Sequence, residues 1–278
     1  MNIGANLYGL GYDASLYFEK TAKKFHAYGY QRVEPLVMFA GDQKEMEGKP
    51  FVPLSIWQQD EVVERGKWLK ERHGIMVESC HMGGLPGEDF SKKLGDMIDL
   101  IKTSDVREFV MSRLLSSKEE CIKDAVIFNQ VADALKPYGG RILYHNHEVE
   151  LRKILVDDKE EMVIDYFLSL CPDVMLEADL GWVMFAGEDE VAFLKNHMDR
   201  ISFLHLKDFK KGFAKDRREK DIVCVGEGVL DLQAIVSFVK GTRLEDRLII
   251  DQDCSTGDLL DDYRRGILHV KECFCKHS

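Results

Sequence analysis

Short apolar runs alternate with helix-like segments along this chain of 278 residues. The runs with strand character fall near residues 3–8, 31–37, 75–80, 106–112, 141–146, 174–179, 201–206 and 247–252. Between several of them, apolar positions recur every three to four residues, as on the buried face of a helix. Strands that alternate with helices predict a parallel sheet, and eight such units close it into a barrel. We therefore predict an α/β fold, a single (β/α)8 TIM barrel that forms one domain over residues 1–278.

Capping and stop signals support these helices. Ser116-Ser117 followed by Glu119-Glu120 is a capping-box signal, and Pro137 with Gly139-Gly140 ends the segment. The apolar residues at helical spacing in between are Ile122, Ala125, Val126, Val131 and Leu135. Similar patterns predict a helix that ends near Gly74 and a last helix lined by Leu259, Leu260, Tyr263, Ile267 and Val270.

Composition narrows the function classes. The net charge of −11 opposes binding to a phosphate backbone, so we expect a small-molecule partner and no nucleic acid. No stretch approaches the roughly 18 apolar residues of a membrane span, and the N-terminus lacks a basic-then-apolar leader, so we expect a cytoplasmic protein without a membrane partner. Seven scattered cysteines predict reduced thiols. The sequence leaves a homo-oligomer open.

Four of the predicted strands end in polar clusters that carry the ligand types of a divalent cation. The clusters are Tyr144-His145-Asn146-His147, Glu177-Ala178-Asp179, His205-Leu206-Lys207-Asp208 and Asp251-Gln252-Asp253. Their spacing matches successive strand–helix units of roughly 30 residues, with an enlarged last interval. Residues two apart in a strand share a face, so each cluster offers a pair of side chains to one barrel mouth. The pattern predicts a metal site there.

These motifs, in this order, resemble the xylose-isomerase-like TIM-barrel superfamily, and within it the sugar phosphate isomerase/epimerase branch that includes the inosose dehydratase relatives. The resemblance also rests on Leu180-Gly181-Trp182 with Ala186-Gly187, and on Val225-Gly226-Glu227-Gly228 followed by Leu230-Asp231. It covers essentially the whole chain and is strongest from about residue 140 onward.

The resemblance implies one divalent metal ion, Mn, Co, Zn or Fe, at the carboxyl ends of the strands. Carried over by position, its ligands are His145, Asp179, His205 and Asp251. Several epimerases of the superfamily have a glutamate at the position of His145, and many relatives have one at the position of Asp251. The implied activity is that of a metal-dependent isomerase or epimerase, or a dehydratase, acting on a sugar, keto-sugar or polyol derivative.

The chemistry requires a base that removes a proton next to a metal-chelated carbonyl. Three residues remain open for this catalytic role: Glu34 near the end of the second strand, His147 beside the metal, and Glu177 one layer below Asp179. Lys207 shares a face with His205 and is expected to hold a substrate oxygen or to neutralise developing negative charge.

Two further residues are expected to contact substrate. His81 follows the third strand across the barrel mouth, and Trp182 could stack on a sugar ring. Substrate choice is expected in the loops after the first three strands, including the segment from Phe39 to Ser55.

Two alternatives to this enzyme class stay open. One is a metal-dependent nuclease resembling the AP endonucleases of the same superfamily, and the other is a barrel that binds carbohydrate without catalysis. In the nuclease branch a histidine that binds additional zinc stands three residues after the sixth-strand aspartate, where this chain has Trp182. A single metal ion and no cleavage of abasic DNA are therefore predicted.

Overall fold

A curled parallel β-sheet surrounded by helices forms the body of the protein in a computed structural model, which describes residues 1–39, 54–83 and 90–276. The barrel strands are β1 (Ile3–Asn6), β2 (Arg32–Glu34), β3 (Leu36–Met38), β5 (Ser79–Met82), β6 (Glu108–Met111), β7 (Arg141–His145), β10 (Met175–Asp179), β11 (Ile201–Leu206) and β14 (Leu248–Ile250). They occupy the eight predicted positions, because β2 and β3 together form the second one. The predicted α/β barrel is confirmed.

The barrel closes through β2 and β3, which Pro35 separates. β2 pairs in parallel with β1, and β3 pairs in parallel with β5. Proline has no backbone N–H and cannot donate to a strand partner. Its carbonyl accepts a hydrogen bond of 2.9 Å from the backbone N–H of His81, and Val33 N–H donates to the carbonyl of Met76 at 2.9 Å. The predicted third strand, 75–80, is thus an isolated bridge at Met76 followed by β5.

Helices connect the barrel strands. Their bounds are α1 (Phe18–Tyr28), α2 (Gln59–His73), α3 (Phe90–Thr103), α4 (Lys118–Leu135), α5 (Val163–Leu170), α6 (Leu180–Ala186), α7 (Glu190–His197), α8 (Leu232–Val239) and α9 (Leu259–Cys275). Helix α2 ends as predicted at Gly74, whose φ of +66° is favoured by glycine. The last helix, α9, buries Tyr263, Ile267 and Val270 as predicted.

The predicted N-cap of α4 is present, since the Ser117 side chain accepts a hydrogen bond from Glu120 N–H. The reciprocal bond of a capping box is displaced by one residue, because the Glu120 carboxylate accepts from Ser116 N–H at 2.8 Å. The apolar face was predicted less well, since Ile122 and Val126 are 48% and 56% exposed. Their spacing is helical, but they lie on the solvent side of the face formed by the buried residues of α4.

In the part of the chain that the structure describes, five shorter strands lie outside the set of barrel strands. They are the added strand β4 (Trp57–Gln58), the antiparallel pair β8 (Lys153–Val156) and β9 (Lys159–Met162), and the pair β12 (Asp208–Phe209) and β13 (Ile222–Val223). Asp157 and Asp158 connect β8 to β9 with φ values of +47° and +66°, as in a tight hairpin turn. Among the helices of the described residues, none is long and apolar enough to cross a membrane.

Candidate metal centre

The carboxyl ends of neighbouring strands bring the predicted polar clusters together. Strand register pairs Glu177 with His145 and Asp179 with His205. β11 pairs with β14 so that Leu206 lies beside Ile250, directly before Asp251. Because all these strands are parallel, their polar ends meet at one mouth of the barrel.

The four residues expected to bind metal form one compact group. His145, Asp179, His205 and Asp251 each offer one ligand atom, and these atoms all lie within 4.8 Å of one another. All four side chains are buried. A second group, which shares two of these histidines, consists of His81, His145, Glu177 and His205.

Each imidazole of the first group has one nitrogen held by a buried carboxylate. In His205, Nε2 lies 2.8 Å from Oε2 of Glu34, while Nδ1 lies 3.1 Å from Oδ2 of Asp251. In His145, Nδ1 lies 2.9 Å from Oε2 of Glu177, while Nε2 lies 3.8 Å from Oδ2 of Asp179. The remaining nitrogens therefore face the two aspartates, as in carboxylate–histidine–metal arrangements.

One buried oxygen of Asp179 lacks a hydrogen-bond donor among the described residues, which bears on whether this group of residues suits a cation. Its Oδ1 accepts a hydrogen bond of 3.1 Å from Trp182 N–H and so caps α6. Its Oδ2 is buried and accepts no hydrogen bond within the described part of the chain; Nζ of Lys207 and Nε2 of His145 are both 3.8 Å away. Leaving a carboxylate oxygen in this state is costly unless a cation neutralises it. The residues fit a divalent ion.

Glu34 and Glu177 form a carboxylate layer beneath His145, Asp179, His205 and Asp251, the four residues called the metal group below. Both are 0% exposed. Glu34 accepts hydrogen bonds from Asn6 Nδ2 at 3.0 Å and from the Ser79 hydroxyl, in addition to its contact with His205. Oε1 of Glu177 lies 3.2 Å from Nε2 of His205, but without hydrogen-bond geometry, because that nitrogen points to Glu34.

His81 bridges the two carboxylates of this layer. Its Nε2 lies 2.6 Å from Glu177 Oε2 and 3.3 Å from Glu34 Oε2. Burial opposes a charge on His81, but the two carboxylates outweigh burial and raise the pKa of the ring to about 10. Burial raises the pKa of Glu177, yet the neighbouring histidines more than compensate and hold that pKa well below its usual range.

Burial is the main cause of the pKa shifts of Asp179 and His145. Burial, assisted by Asp251, raises the pKa of Asp179 to about 7. Burial also lowers the pKa of His145 to about 4, so its ring is neutral at pH 7 and able to donate a lone pair. A cation at this point would favour the ionised form of Asp179.

Lys207 is buried among carboxylates at the edge of the group. Its Nζ lies 2.8 Å from Asp251 Oδ2 and 2.5 Å from Asp253 Oδ2. Burial opposes its charge, but Asp251, Asp253 and Asp179 outweigh burial and raise the pKa of Lys207. The ammonium therefore stays charged, and it lies 5.5 Å from the centre of the Trp182 ring.

The mouth opens into a cavity of about 490 Å³. His81, His145, His147, Lys207 and Trp182 line it. Its apolar lining includes Leu36, Val37, Met38, Ile56 and Met82. Glu34 and Glu177 lie under the floor. The part of the predicted specificity segment that spans residues 40–53 lies outside the described residues.

Several residues of the site are not apparent from local sequence patterns. Asn6 and Ser79 hold Glu34. Asp253, which belongs to a predicted polar cluster, holds Lys207. Glu150 fixes the next loop, since its carboxylate accepts hydrogen bonds from His147 N–H at 2.9 Å and Leu115 N–H at 3.0 Å. Asn6 had one usable signal, because it is the polar residue that ends the first strand.

Comparison with known families supports the barrel fold. Residues 116–273 match the model of the xylose isomerase-like TIM barrel. This match spans more than half of the chain, and the protein belongs to that family.

The relatives include sugar-modifying enzymes. An inosose dehydratase from Clostridium perfringens is 25% identical over 159 residues, 52% of this chain and 52% of that protein. The chain thus covers about half the length of the curated relatives it matches.

Solved structures share the fold over nearly the full chain. A sugar phosphate isomerase/epimerase from Parabacteroides distasonis is 16% identical and covers 98% of this chain and 95% of its own, with a TM-score of 0.69. The IOLI protein, solved with a bound zinc atom, is 16% identical and covers 99% of this chain and 97% of its own, with a TM-score of 0.65.

Proposed function

We propose that this protein is a divalent-metal-dependent enzyme that isomerises, epimerises or dehydrates a sugar, keto-sugar or polyol derivative. The observation that carries the proposal is the buried group of His145, Asp179, His205 and Asp251, in which one oxygen of Asp179 accepts no hydrogen bond from the described residues. The similarity to inosose dehydratases, and the fold shared with a sugar phosphate isomerase/epimerase, support the substrate class.

The proposed ligands are Nε2 of His145, Nδ1 of His205 and carboxylate oxygens of Asp179 and Asp251. A mixed nitrogen and oxygen donor set suits Mn, Co, Zn or Fe. When bound, such a cation polarises a substrate carbonyl and lowers the cost of removing the neighbouring C–H proton. Beneath the proposed ligands, the fully buried carboxylates of Glu34 and Glu177 orient the two imidazoles.

Among the three candidate bases, burial favours His147. Glu34 and Glu177 are 0% exposed and already accept hydrogen bonds from imidazoles, so a substrate carbon cannot reach them without disrupting the floor. His147 lines the cavity next to His145, with their ring centroids 5.1 Å apart. An imidazole also has an ordinary pKa close to neutral, which suits proton transfer at pH 7.

Lys207 is the proposed electrostatic partner of the reaction. Its Nζ is charged, lines the cavity and is held by Asp251 and Asp253. A fixed ammonium next to the reacting carbons would stabilise negative charge that develops on a substrate oxygen. His81 and Trp182 line the same cavity, and we propose that they contact the substrate.

Deuterium exchange tests this function before the product is known. The protein, stripped of metal and reloaded with Mn²⁺, is incubated in D₂O with a panel of keto-sugars and inososes. The account predicts metal-dependent uptake of deuterium at the carbon next to the carbonyl for at least one compound. Exchange that is equal in the stripped and reloaded protein would contradict it.

A matched pair of variants assigns the base in the same assay. His147→Gln should reduce exchange by about 10²-fold or more, as expected for loss of a general base. His269→Gln, which changes a partly exposed histidine on α9, should leave exchange unchanged. Full exchange in His147→Gln would return the role to Glu34 or Glu177.

A further inference from the structure

The cavity carries an arginine that the proposed chemistry does not use. Arg113 lines the cavity two residues after β6 ends at Met111. Strand register pairs Met111 with Tyr144, the residue before His145, and Arg113 and His145 line the same cavity. Neighbouring strands lie about 4.8 Å apart, which is well within the reach of an arginine side chain.

A buried aspartate orients the guanidinium of Arg113. Nε of Arg113 donates to Oδ2 of Asp124 at 2.7 Å. The Asp124 side chain is 5% exposed, whereas that of Arg113 is 37% exposed. Within the described part of the chain, Nε is the only nitrogen of this guanidinium that donates a hydrogen bond. The N–H groups of the two terminal nitrogens are therefore able to donate to a bound molecule. A guanidinium presents these donors as a planar fork that matches a carboxylate or a phosphate.

The backbone around Arg113 is strained in a way that fixes its position. Leu114 has a φ of +54°, a conformation that is unfavourable for a residue with a branched side chain. The next residue, Leu115, is 3% exposed, and its N–H donates to buried Glu150. Glu150 also accepts from His147 N–H, so one carboxylate anchors both the arginine loop and the loop of the proposed base. Strain that the surroundings hold in this way is typical of ligand sites.

Arg113 differs from the other long cationic side chain of the cavity. Lys207 is surrounded by Asp179, Asp251 and Asp253, and these carboxylates already balance its positive charge. Within the described residues, Arg113 has one carboxylate partner, Asp124, and it lines the cavity. An anionic group of a bound molecule would therefore gain more from Arg113 than from Lys207.

We propose that Arg113, positioned by Asp124, binds a carboxylate or phosphate group of the substrate while the opposite end of the substrate reaches the metal group. This inference rests on the proposed function for the location of the reacting carbons. It narrows the substrate class to acidic sugars, such as uronates, or to sugar phosphates. Binding of the anionic group itself requires only the two terminal nitrogens of the Arg113 guanidinium.

Binding of three matched ketoses tests the proposal. D-fructose, D-fructose 6-phosphate and D-fructuronate are titrated calorimetrically into the Mn²⁺-loaded protein. At least one acidic compound should bind more tightly than D-fructose by about 10- to 100-fold, as for hydrogen bonds to a charged group. Preference for the phosphate or for the carboxylate identifies which anion the site takes. Binding of neither acidic compound more tightly than D-fructose would overturn the proposal.

Variants connect that preference to Arg113. Arg113→Gln keeps a donor for Asp124 and should abolish the advantage of the acidic compound, whereas Arg113→Lys should restore part of it. The control is Arg264→Gln, which removes an exposed arginine whose Nε donates to Asp261 on α9. An advantage that survives in Arg113→Gln would contradict the assignment.

The test of anion binding and the test of the proposed reaction can fail independently of each other. Metal-dependent deuterium exchange with neutral keto-sugars does not require Arg113, so it can succeed while the anion preference fails. Conversely, an Arg113-dependent preference without exchange would keep the anion site and remove the proposed reaction.

Discussion

The two nitrogens of each site histidine have different neighbours, and this asymmetry determines what the rings can do. One nitrogen of His145 contacts Glu177, and one nitrogen of His205 contacts Glu34. The other nitrogen is thereby directed toward Asp179 or Asp251. The fully buried glutamates are best described as positioning residues for the imidazoles.

Glu177→Gln tests this positioning role. The amide keeps the shape of the side chain but loses the charge that orients His145, so affinity for Co²⁺ should fall by about 10- to 100-fold. Competition with a chelator measures the affinity, and the visible spectrum of bound Co²⁺ should also shift. The control Glu71→Gln changes a carboxylate that is 62% exposed. An unchanged affinity and spectrum would show that Glu177 does not orient the ligand.

Lys207→Met separates charge stabilisation from metal binding. Methionine matches the aliphatic part of the lysine side chain but carries no charge, so turnover should fall by about 10²-fold or more. Metal content, measured by elemental analysis, should stay the same because Lys207 is not a ligand. Lys210→Met, at a neighbouring position that is 45% exposed, is the control. Loss of the metal together with activity would make the assigned role wrong.

Local sequence patterns were sufficient for part of the site. The spacing of two residues predicted that Glu177 and Asp179 share a face, and in the structure both lie beside His145 at the carboxyl end of the barrel, as His205 and Lys207 both lie beside Asp251. The partner of His205 could not be found in this way, because Glu34 lies 171 residues away and only barrel closure brings it close. Which ring nitrogen faces the proposed metal position is therefore determined by tertiary structure.

At the scale of elements, one carboxylate organises the loop between β13 and α8. Asp208 accepts hydrogen bonds from five backbone N–H groups, those of Phe209, Gly226, Gly228, Val229 and Leu230, at 2.8–3.0 Å. Gly228 is required there, since a Cβ would lie 2.2 Å from Oδ1 of Asp208. The glycines thus shape a turn, as the sequence suggested.

Asp208→Ala should destabilise the protein strongly. It leaves several loop N–H groups without their acceptor, and we expect a loss of about 3 kcal/mol in the free energy of unfolding. Urea denaturation measures the loss, and Asp216→Ala, at an exposed position between β12 and β13, serves as the control. A change below about 0.5 kcal/mol, the range of ordinary surface substitutions, would contradict the structural role.

The elements themselves were largely predictable, because alternating apolar runs and helical spacing reflect burial against one core. The hairpin of β8 and β9 was not predicted. Its strands contain Lys153, Lys159, Glu160 and Glu161, and the hairpin is mainly solvent-exposed, so it carries little hydrophobic pattern. Pro35 likewise divided the second strand in a way that apolar content alone does not indicate.

At the scale of the whole molecule, buried carboxylates converge at one end of the barrel. Glu34, Glu177, Asp179 and Asp251 are all buried there, with Lys207 and the histidines as the compensating groups. Such an arrangement is expected to be more stable with a cation than without one.

Chelation should therefore lower the stability of the folded protein. At a free Mn²⁺ concentration of 100 times the dissociation constant, binding adds about 2.7 kcal/mol, which a chelator removes. Thermal denaturation with and without chelator measures this, and Asp179→Asn should reduce the difference. An equal unfolding midpoint with and without Mn²⁺ would contradict a cation site in the folded barrel.

The location and number of bound cations test the central claim most directly. Crystals of the protein loaded with Mn²⁺ are examined by anomalous diffraction at the manganese absorption edge. The account predicts one anomalous peak per chain in the barrel mouth, within coordination distance of His145, Asp179, His205 and Asp251. Two or more peaks there would favour the nuclease class, and a peak held instead by His81 and Glu177, or no peak in the mouth, would contradict the assigned metal centre.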